Sequence, residues 1–211
     1  MLNTVAVNSE QLIKLYDFEL SGHCHKVRLF LSLLDIPFES ININLPKGEH
    51  KSDFFLDLNS FGQVPVMQDG DLVIADSNAI LVYLALKYDP LSVWLPINPL
   101  IQAQIQRWLS AAAGPLAFGV ANLRAARVFK RTADLRAQEI SDKLLSAMNY
   151  ELSKSKFLCT VKNPTIADIA MYSYTAHSPE GGINLAQYEN IVNWIKDIES
   201  LPRFQAMKKS L

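Results

Sequence analysis

The sequence predicts an α/β domain followed by an all-helical domain. Three observations lead to this fold class: apolar residues change between strand-like and helix-like spacing over the first ninety residues, three prolines fall within residues 88–99, and all later apolar stripes have helical spacing. A chain of 211 residues that is 49% apolar can also bury a large core. We therefore predict an N-terminal extension over residues 1–11, the α/β domain over 12–88, a linker over 89–99 and the helical domain over 100–211.

The α/β domain has the predicted order β-α-β-α-β-β-α. Residues 12–18 and 38–44 have strand-like patterns on either side of a helical stripe, which gives a β-α-β unit. Asp69-Gly70 between two apolar runs predicts a hairpin, and Ser77 is expected to cap the helix that follows. The apolar residues that define the three helices are Val27, Phe30, Leu31, Leu34, Phe54, Phe55, Leu58, Ile80, Leu81 and Leu84.

Three apolar stripes predict the long helices of the second domain. They run from Ile101 to Ala112, from Leu135 to Leu152 and from Ile191 to Ile198. A further helix is expected to open at residue 166, because Thr165 and Asp168 have the spacing of a capping box. We interpret that motif as an element of stability rather than of catalysis.

Composition limits the classes of partner. Twenty basic and twenty-one acidic residues leave a net charge of −1, which favours neither nucleic acid nor an anionic membrane as a partner. No apolar run approaches the roughly 18 to 20 residues of a membrane span, and the first residues lack the pattern of a secretory leader. Two cysteines far apart in sequence suit a reducing compartment. We predict a cytoplasmic protein with a small-molecule or protein partner.

The stretch LSGHCHKVRL, residues 20–29, holds four candidate reactive side chains. Ser21 lies where a strand leads into a helix, so it is either an ordinary N-cap or a hydroxyl that stabilises a thiolate at the helix N-terminus. Cys24 is either a partly buried small side chain or a second thiol near the site. His23 and His25 flank it, and consecutive helical side chains diverge by about 100°, so we predict solvent-facing histidines and no metal.

Two dipeptides further along have open alternatives. Val64-Pro65 begins a short strand, where either a trans or a cis peptide bond is compatible with the sequence and trans is the commoner form. Asp76-Ser77 fits an ordinary helix cap and also fits side chains that bind the ammonium and carboxylate groups of a ligand. Neither alternative excludes the other for Asp76-Ser77.

From Leu12 to about Phe204 the chain resembles the cytosolic glutathione S-transferases, in a serine-type, bacterial-style form similar to the theta, phi and delta classes. The strand-to-Ser21 turn resembles their active site, residues 48–88 resemble their glutathione-binding stretch, and NPTIADIAMYSY resembles the capping box of their helical domain. The resemblance implies a thioredoxin-like N-terminal domain, an all-helical C-terminal domain, and assembly as a homodimer.

The resemblance also implies a function and a set of site residues. The expected activity is the transfer of glutathione, used as co-substrate, to small apolar electrophiles, with Ser21 stabilising the thiolate. Residues implied to hold glutathione are His50, Lys51, Gln63, Val64, a cis Pro65, Asp76 and Ser77. Residues implied to line the electrophile pocket are Phe18, Leu20, Trp108, Ala112 and Pro115.

The chain departs from the family pattern in two places, and its residues also fit two rival functions. The chain has Asp76 where the family more often has Glu, and residues 21–24 lack the Ser-Ser-Cys-Ser motif of the zeta-type isomerases, which argues against isomerisation. Cys24 in a thioredoxin-like domain motivates a glutathione-dependent disulfide reductase or peroxidase as the first rival. The second rival is a non-catalytic protein that keeps the fold as an interaction platform.

Overall fold

A computed structural model describes residues 12–210, so the predicted N-terminal extension lies outside the described residues. Its mixed sheet has the strand order β2-β1-β3-β4. The strands are β1 (Ile13–Asp17), β2 (Phe38–Asn42), β3 (Val66–Asp69) and β4 (Leu72–Ala75). β1 pairs in parallel with β2, whereas β3 pairs antiparallel with both β1 and β4.

Three helices complete the first domain and confirm the predicted order β-α-β-α-β-β-α. They are α1 (Gly22–Leu33), α2 (Asp53–Leu58) and α3 (Ser77–Tyr88). Short 3₁₀ turns at Leu45–Lys47 and Glu49–Lys51 precede α2. The parallel β1-α1-β2 unit and the β3-β4 hairpin correspond to the periodicity and the Asp69-Gly70 turn signal in the sequence.

The second domain is helical, as the sequence predicts. Its helices are α4 (Pro99–Ala111), α5 (Asn122–Val128), α6 (Ala137–Leu152), α7 (Ile166–Ala176) and α8 (Glu189–Glu199). A π-helical segment, Ala112–Ala121, joins α4 to α5. The second predicted stripe starts too early, because Leu135 is fully exposed and the helix begins two residues later. Among residues 12–210 there is no helix long and apolar enough to cross a membrane.

The two faces of the sheet are buried against different elements. Leu15 of β1 belongs to the large core that includes α1, α3 and the helical domain. The neighbouring Tyr16 belongs to a smaller cluster with Phe55 of α2 and Val66 of β3. This alternation follows from the two-residue period of a strand. The sheet is therefore covered on both sides, and α1, which shares the large core with β1, also packs against α7.

Helix α7 lies at the centre of the helical domain and begins with the predicted capping box. The Thr165 N–H donates to Asp168 Oδ2 at 2.8 Å. Asp168 is fully buried and also accepts hydrogen bonds from the Leu158 N–H and from Nε1 of Trp194, both at 2.9 Å. One carboxylate therefore joins the start of α7 to a preceding loop and to α8.

Candidate functional site

Ser21 forms the N-cap of α1. Its backbone is extended, and its Oγ accepts a hydrogen bond from the Cys24 N–H at 3.3 Å. A serine hydroxyl can accept one hydrogen bond while donating another, so Ser21 can still donate its proton to a neighbouring anion. The unpaired N–H groups and the dipole of α1 favour negative charge at the same place. The first turn of α1 is thus suited to stabilise an anion beside Ser21.

A cavity of about 630 Å³ lies on one side of this turn. Its walls come from residues 56–61 at the end of α2, from Gln63, Val64 and Pro65, and from residues 75–77 at the start of α3. His23 also lines this cavity. The structure therefore brings together five of the seven residues predicted to bind glutathione, which are Gln63, Val64, Pro65, Asp76 and Ser77.

The Val64–Pro65 segment offers backbone hydrogen-bonding groups to the larger cavity. The peptide bond between the two residues is cis, the form implied by the resemblance. Within residues 12–210 no backbone or side-chain group bonds to the N–H or C=O of Val64. Nearby, Asn59 Nδ2 donates to the Gln63 C=O at 2.8 Å and fixes the preceding residue. An extended peptide placed in the cavity can pair with Val64 as a short strand would.

Asp76 rather than Ser77 caps α3, so the expectation for Ser77 is wrong. Asp76 Oδ1 accepts from the N–H groups of Asn78 and Ala79, both at 2.9 Å. The backbone of Asp76 has φ 74°, a conformation that few residues other than glycine adopt and that is common near functional sites. Ser77 is 4% exposed, and its Oγ lies 3.4 Å from Nδ1 of His23.

The structure overturns the prediction that His25 faces solvent, and it shows His23 to be half-buried on the wall of the larger cavity. His25 is 1% exposed, with Nδ1 2.9 Å from Ser173 Oγ and Nε2 2.9 Å from the Gln205 carbonyl oxygen. The ring of His23 packs edge-on against Tyr174. Burial lowers the pKa of each histidine to about 3, so both are neutral at physiological pH. In the part of the chain described here, no cluster of histidine, cysteine or acidic residues could hold a metal ion.

Cys24 is completely buried and protonated. Burial, with a smaller contribution from Asp17, raises the pKa of its thiol to about 12. Because the thiolate is the reactive form of cysteine, this side chain is neither accessible nor ionised enough to act as a nucleophile. The structure thus removes the main physical argument for a redox role of Cys24.

His50 and Lys51 lie outside the walls of the larger cavity. Lys51 Nζ is 3.4 Å from each of the carbonyl oxygens of Phe61 and Gly62. The Nδ1 atom of His50 is buried and has no hydrogen-bond partner among residues 12–210. Partial burial and the neighbouring Lys51 lower the pKa of His50. In this arrangement Lys51 supports the turn that leads into Gln63.

Ser21 itself lines a second cavity, of about 180 Å³. Phe18 and Leu20 line it as the resemblance implies. Trp108 and Ala112 do not, because both are buried in the large core, and Pro115 is exposed elsewhere on the surface. The remaining walls come from residues that the sequence analysis did not single out, namely Leu45, Pro46, Ala121, Arg124, Ala125, Phe129, Arg131 and Tyr174.

Arg124 and Tyr174 are site residues that the sequence analysis missed. Arg124 is 2% exposed, and its NH1 donates to the Leu20 carbonyl oxygen at 2.9 Å, directly before Ser21. Tyr174 packs so closely that a Cβ added to Gly22 would lie 2.7 Å from its ring. Burial raises the pKa of Tyr174 to about 12. Two side chains of the helical domain therefore fix the backbone on either side of Ser21.

Two family models match the chain in succession. The model for "Glutathione S-transferase, N-terminal domain" matches residues 20–87, and the model for "Glutathione S-transferase, C-terminal domain" matches residues 104–202. Each match falls within the corresponding structural domain. All residues that line the larger cavity lie within the N-terminal match. Four residues that line the smaller cavity lie within the C-terminal match, namely Arg124, Phe129, Arg131 and Tyr174.

Named relatives match a little under half of the chain. Glutathione S-transferase 1 of Dianthus caryophyllus is 43% identical over 97 residues, which cover 46% of this chain and 41% of that protein. Glutathione S-transferase theta-1 of Homo sapiens is 38% identical over 98 residues, which cover 46% of this chain and 41% of that protein. The aligned part of this chain thus spans less than half the length of these relatives.

Solved structures match almost the whole chain. A glutathione S-transferase from Pseudomonas fluorescens is 30% identical, with a TM-score of 0.87, and the match covers 94% of this chain and 100% of that one. A glutathione transferase homolog from Drosophila mojavensis, solved with bound glutathione, is 25% identical with a TM-score of 0.81. That match covers 90% of this chain and 89% of the other.

Proposed function

The chain belongs to the glutathione S-transferase family, and from this premise we propose that it is a cytoplasmic enzyme that joins the thiolate of glutathione to small apolar electrophiles. The observation that carries the proposal is that the first turn of α1 borders two unlike cavities, the smaller one through Ser21 and the larger one through His23. The larger one is rimmed by polar and backbone groups, and the smaller one is mostly apolar. A hydroxyl at the N-terminus of α1 lies where a sulfur held by the first cavity would meet a molecule held by the second.

Glutathione fits the larger cavity by its chemistry. Its peptide backbone pairs with the N–H and C=O of Val64, while the side chain of Gln63 borders the same space. Its γ-glutamyl group carries an ammonium and a carboxylate. Asp76 can accept from the ammonium through Oδ2, because Oδ1 already caps α3. Ser77 can donate its hydroxyl to the carboxylate.

Thiolate formation is the step that Ser21 promotes. A free thiol has a pKa near 8.5 and is mostly protonated at neutral pH. A hydrogen bond to a charged group contributes about 1.5–3 kcal/mol, which corresponds to a pKa lower by about one to two units. The proton passes to solvent, and the thiolate then attacks an electrophilic carbon. The bond from sulfur to carbon forms as the leaving group departs, without a covalent intermediate on the protein.

The decisive experiment is the pH dependence of glutathione conjugation with 1-chloro-2,4-dinitrobenzene in the Ser21→Ala variant. We expect the pKa governing kcat/KM to rise by about one to two units, so that the rate at pH 6.5 falls about 10- to 100-fold. Glutathione affinity should change little, because the other contacts remain. An unchanged pH–rate profile in this variant would refute the assignment of Ser21.

Ser21→Ala removes both a helix cap and the proposed hydrogen-bond donor to the thiolate, so a matched control should remove a helix cap alone. Ser52 caps α2 as Ser21 caps α1, since its Oγ accepts from the Phe55 N–H at 3.3 Å. Ser52→Ala should therefore lower stability by about 1 kcal/mol and leave the pH–rate profile as it is. Cys24→Ala should likewise leave the profile unchanged, whereas loss of conjugation in that variant alone would favour the redox rival.

Two further expectations accompany this proposal. The family resemblance implies a homodimer, which light scattering during gel filtration would detect as twice the mass of the chain. The non-catalytic rival predicts no thermal shift with millimolar glutathione and no retention on immobilised glutathione. The open backbone groups of Val64 favour the glutathione-binding protein over that rival.

A further inference from the structure

We propose that the smaller cavity selects aromatic electrophiles that carry an anionic group, and that Arg131 binds this anion. The inference rests on the proposed glutathione conjugation and names the substrate class of the same site. It is carried by the composition of the cavity wall, in which two guanidinium groups face mostly apolar side chains and no acidic residue is present.

The size and lining of the cavity fit one aromatic ring. Its volume of about 180 Å³ is close to the roughly 150 Å³ of an apolar protein cavity that binds benzene. Phe18 and Phe129 pack against each other in the wall, with ring centroids 6.3 Å apart and planes tilted by 39°. Leu20, Leu45 and Ala125 add aliphatic surface. A flat ring with small substituents buries well against such walls, whereas a long flexible chain would exceed the space.

The two guanidinium groups are in different electrostatic states. Arg124 is buried and is neutralised by Glu180, whose Oε2 lies 2.8 Å from its Nε. Its NH1 and NH2 are already bonded to the Leu20 carbonyl oxygen and to Ser210 Oγ. Arg131 forms no ion pair with a carboxylate in the described part of the chain. Its positive charge is therefore the one that a ligand can neutralise.

Arg131 is anchored at the edge of the cavity. Its backbone N–H donates to the Ala126 carbonyl oxygen at 2.8 Å, which turns the chain back over the end of α5. Its guanidinium carbon lies 5.5 Å from the centroid of the Phe129 ring, so the side chain stacks on a wall of the same cavity. A guanidinium held in this way matches the planar, two-oxygen geometry of a carboxylate.

A ligand anchored at Arg131 can present its reactive carbon to the sulfur. Ser21 and Arg131 line the same small cavity, so a ring bound in it lies near both. In 4-chloro-3,5-dinitrobenzoate the carboxylate and the reactive carbon are at opposite ends of the ring. The thiolate attacks the carbon that bears chlorine, a bond from sulfur to carbon forms, and chloride leaves with the bonding electron pair. No net oxidation or reduction occurs.

The test compares this acid with 4-chloro-3,5-dinitrobenzamide, which has nearly the same shape but no charge. With saturating glutathione, the ratio of kcat/KM for the acid to kcat/KM for the amide is measured in the wild type and in Arg131→Gln. Because Arg131 is exposed at the rim of the cavity, loss of its charge pair should lower this ratio about 5-fold, mainly through KM for the acid. Lys130→Gln is the matched control, because it removes the adjacent exposed charge without altering the cavity wall.

A binding measurement makes the inference independent of turnover. Calorimetry with 3,5-dinitrobenzoate and 3,5-dinitrobenzamide, which lack the leaving group, should show tighter binding of the acid in the wild type and no such preference in Arg131→Gln. An equal ratio in wild type and Arg131→Gln, or an equal loss in Lys130→Gln, would overturn the role of Arg131. Conjugation of the amide without preference for the acid would overturn the inference alone, whereas conjugation of neither compound would count against the proposed function.

Discussion

Burial controls the ionisation of four consecutive side chains after Ser21. It lowers the pKa of His23 and His25 to about 3, raises that of Cys24 to about 12, and lowers that of Lys26 to about 8. At neutral pH neither histidine is charged and the thiol keeps its proton. The first turn of α1 therefore offers no strong acid or base beside Ser21. Stabilisation of an anion there falls to the serine hydroxyl, the open N–H groups and the helix dipole.

The buried histidines predict a loss of stability in mild acid. Their folded pKa of about 3 lies below the usual 6.5, so below pH 6.5 the unfolded chain takes up protons that the folded chain does not. Stability should fall as pH decreases from 6.5 towards 3, by about 2 kcal/mol at pH 5 for the fully buried His25 and by less for the half-buried His23.

The variant His25→Gln measures the share of one histidine. Glutamine does not titrate, so the loss of unfolding free energy between pH 6.5 and pH 5 should be smaller than in the wild type by about 2 kcal/mol. Urea unfolding at several pH values within this range gives the comparison. Parallel pH dependences of wild type and variant would show that His25 is not the group responsible.

At the scale of elements, the sequence was most informative where a local pattern determines the structure. The β-α-β unit, the hairpin at Asp69-Gly70 and the capping box before α7 all follow from periodicity or from turn and cap chemistry within a few residues. These signals depend on residues that are neighbours in sequence rather than on residues far away along the chain. They are sufficient to predict the order of elements in the first domain.

The orientation of α1 depended on residues that are far away in sequence. His25 contacts Ser173, 148 positions later, and Lys26 Nζ donates to Asn78 Oδ1 at 3.1 Å, 52 positions later. A helix that is covered both by a sheet and by another helix buries polar side chains that a single amphipathic stripe assigns to solvent. The prediction of a surface His25 failed for this reason.

The smaller cavity was predicted only in part for a related reason. Phe18 and Leu20 precede Ser21 directly, so the site could be extended to them along the chain. Leu45 belongs to a 3₁₀ turn, and Phe129 and Arg131 lie in the irregular segment after α5. Such segments have no hydrophobic period, and the cavity that they line together with Ser21 exists only once both domains have folded. Buried Trp108 and Ala112 instead have the stripe pattern of an ordinary core helix.

The capping box of α7 should contribute strongly to the stability of the helical domain. Asp168→Ala removes the acceptor for the Thr165 N–H, the Leu158 N–H and the Trp194 indole, all within the core. Because buried donors without partners are costly, we expect a loss of about 3–5 kcal/mol in the free energy of unfolding. Thr165→Ser keeps the backbone donor and a hydroxyl, and should cost less than about 1 kcal/mol. Urea denaturation would contradict this account if Asp168→Ala lost no more than Thr165→Ser.

At the scale of the whole molecule, the segment after α8 connects the end of the described chain to the candidate site. Residues 203–210 contact α1, where the Gln205 carbonyl oxygen is bonded to His25. Further on, Ser210 Oγ accepts from NH2 of Arg124 at 2.6 Å. Arg124 in turn holds the carbonyl oxygen that precedes Ser21. The tail therefore supports the position of Ser21 through one buried guanidinium.

Substitutions at two neighbouring residues of this tail should have contrasting effects on the free energy of unfolding. Met207 is 4% exposed, whereas the ion pair of Lys208 with Glu19, at 2.9 Å, is exposed on both sides. Met207→Ala should lower the free energy of unfolding by about 2–4 kcal/mol, because it leaves a cavity beneath the tail. Lys208→Gln should change it by less than about 1 kcal/mol, since exposed ion pairs contribute little. If thermal unfolding showed equal small shifts for both variants, the tail would be a surface segment with no part in holding the N-terminus of α1.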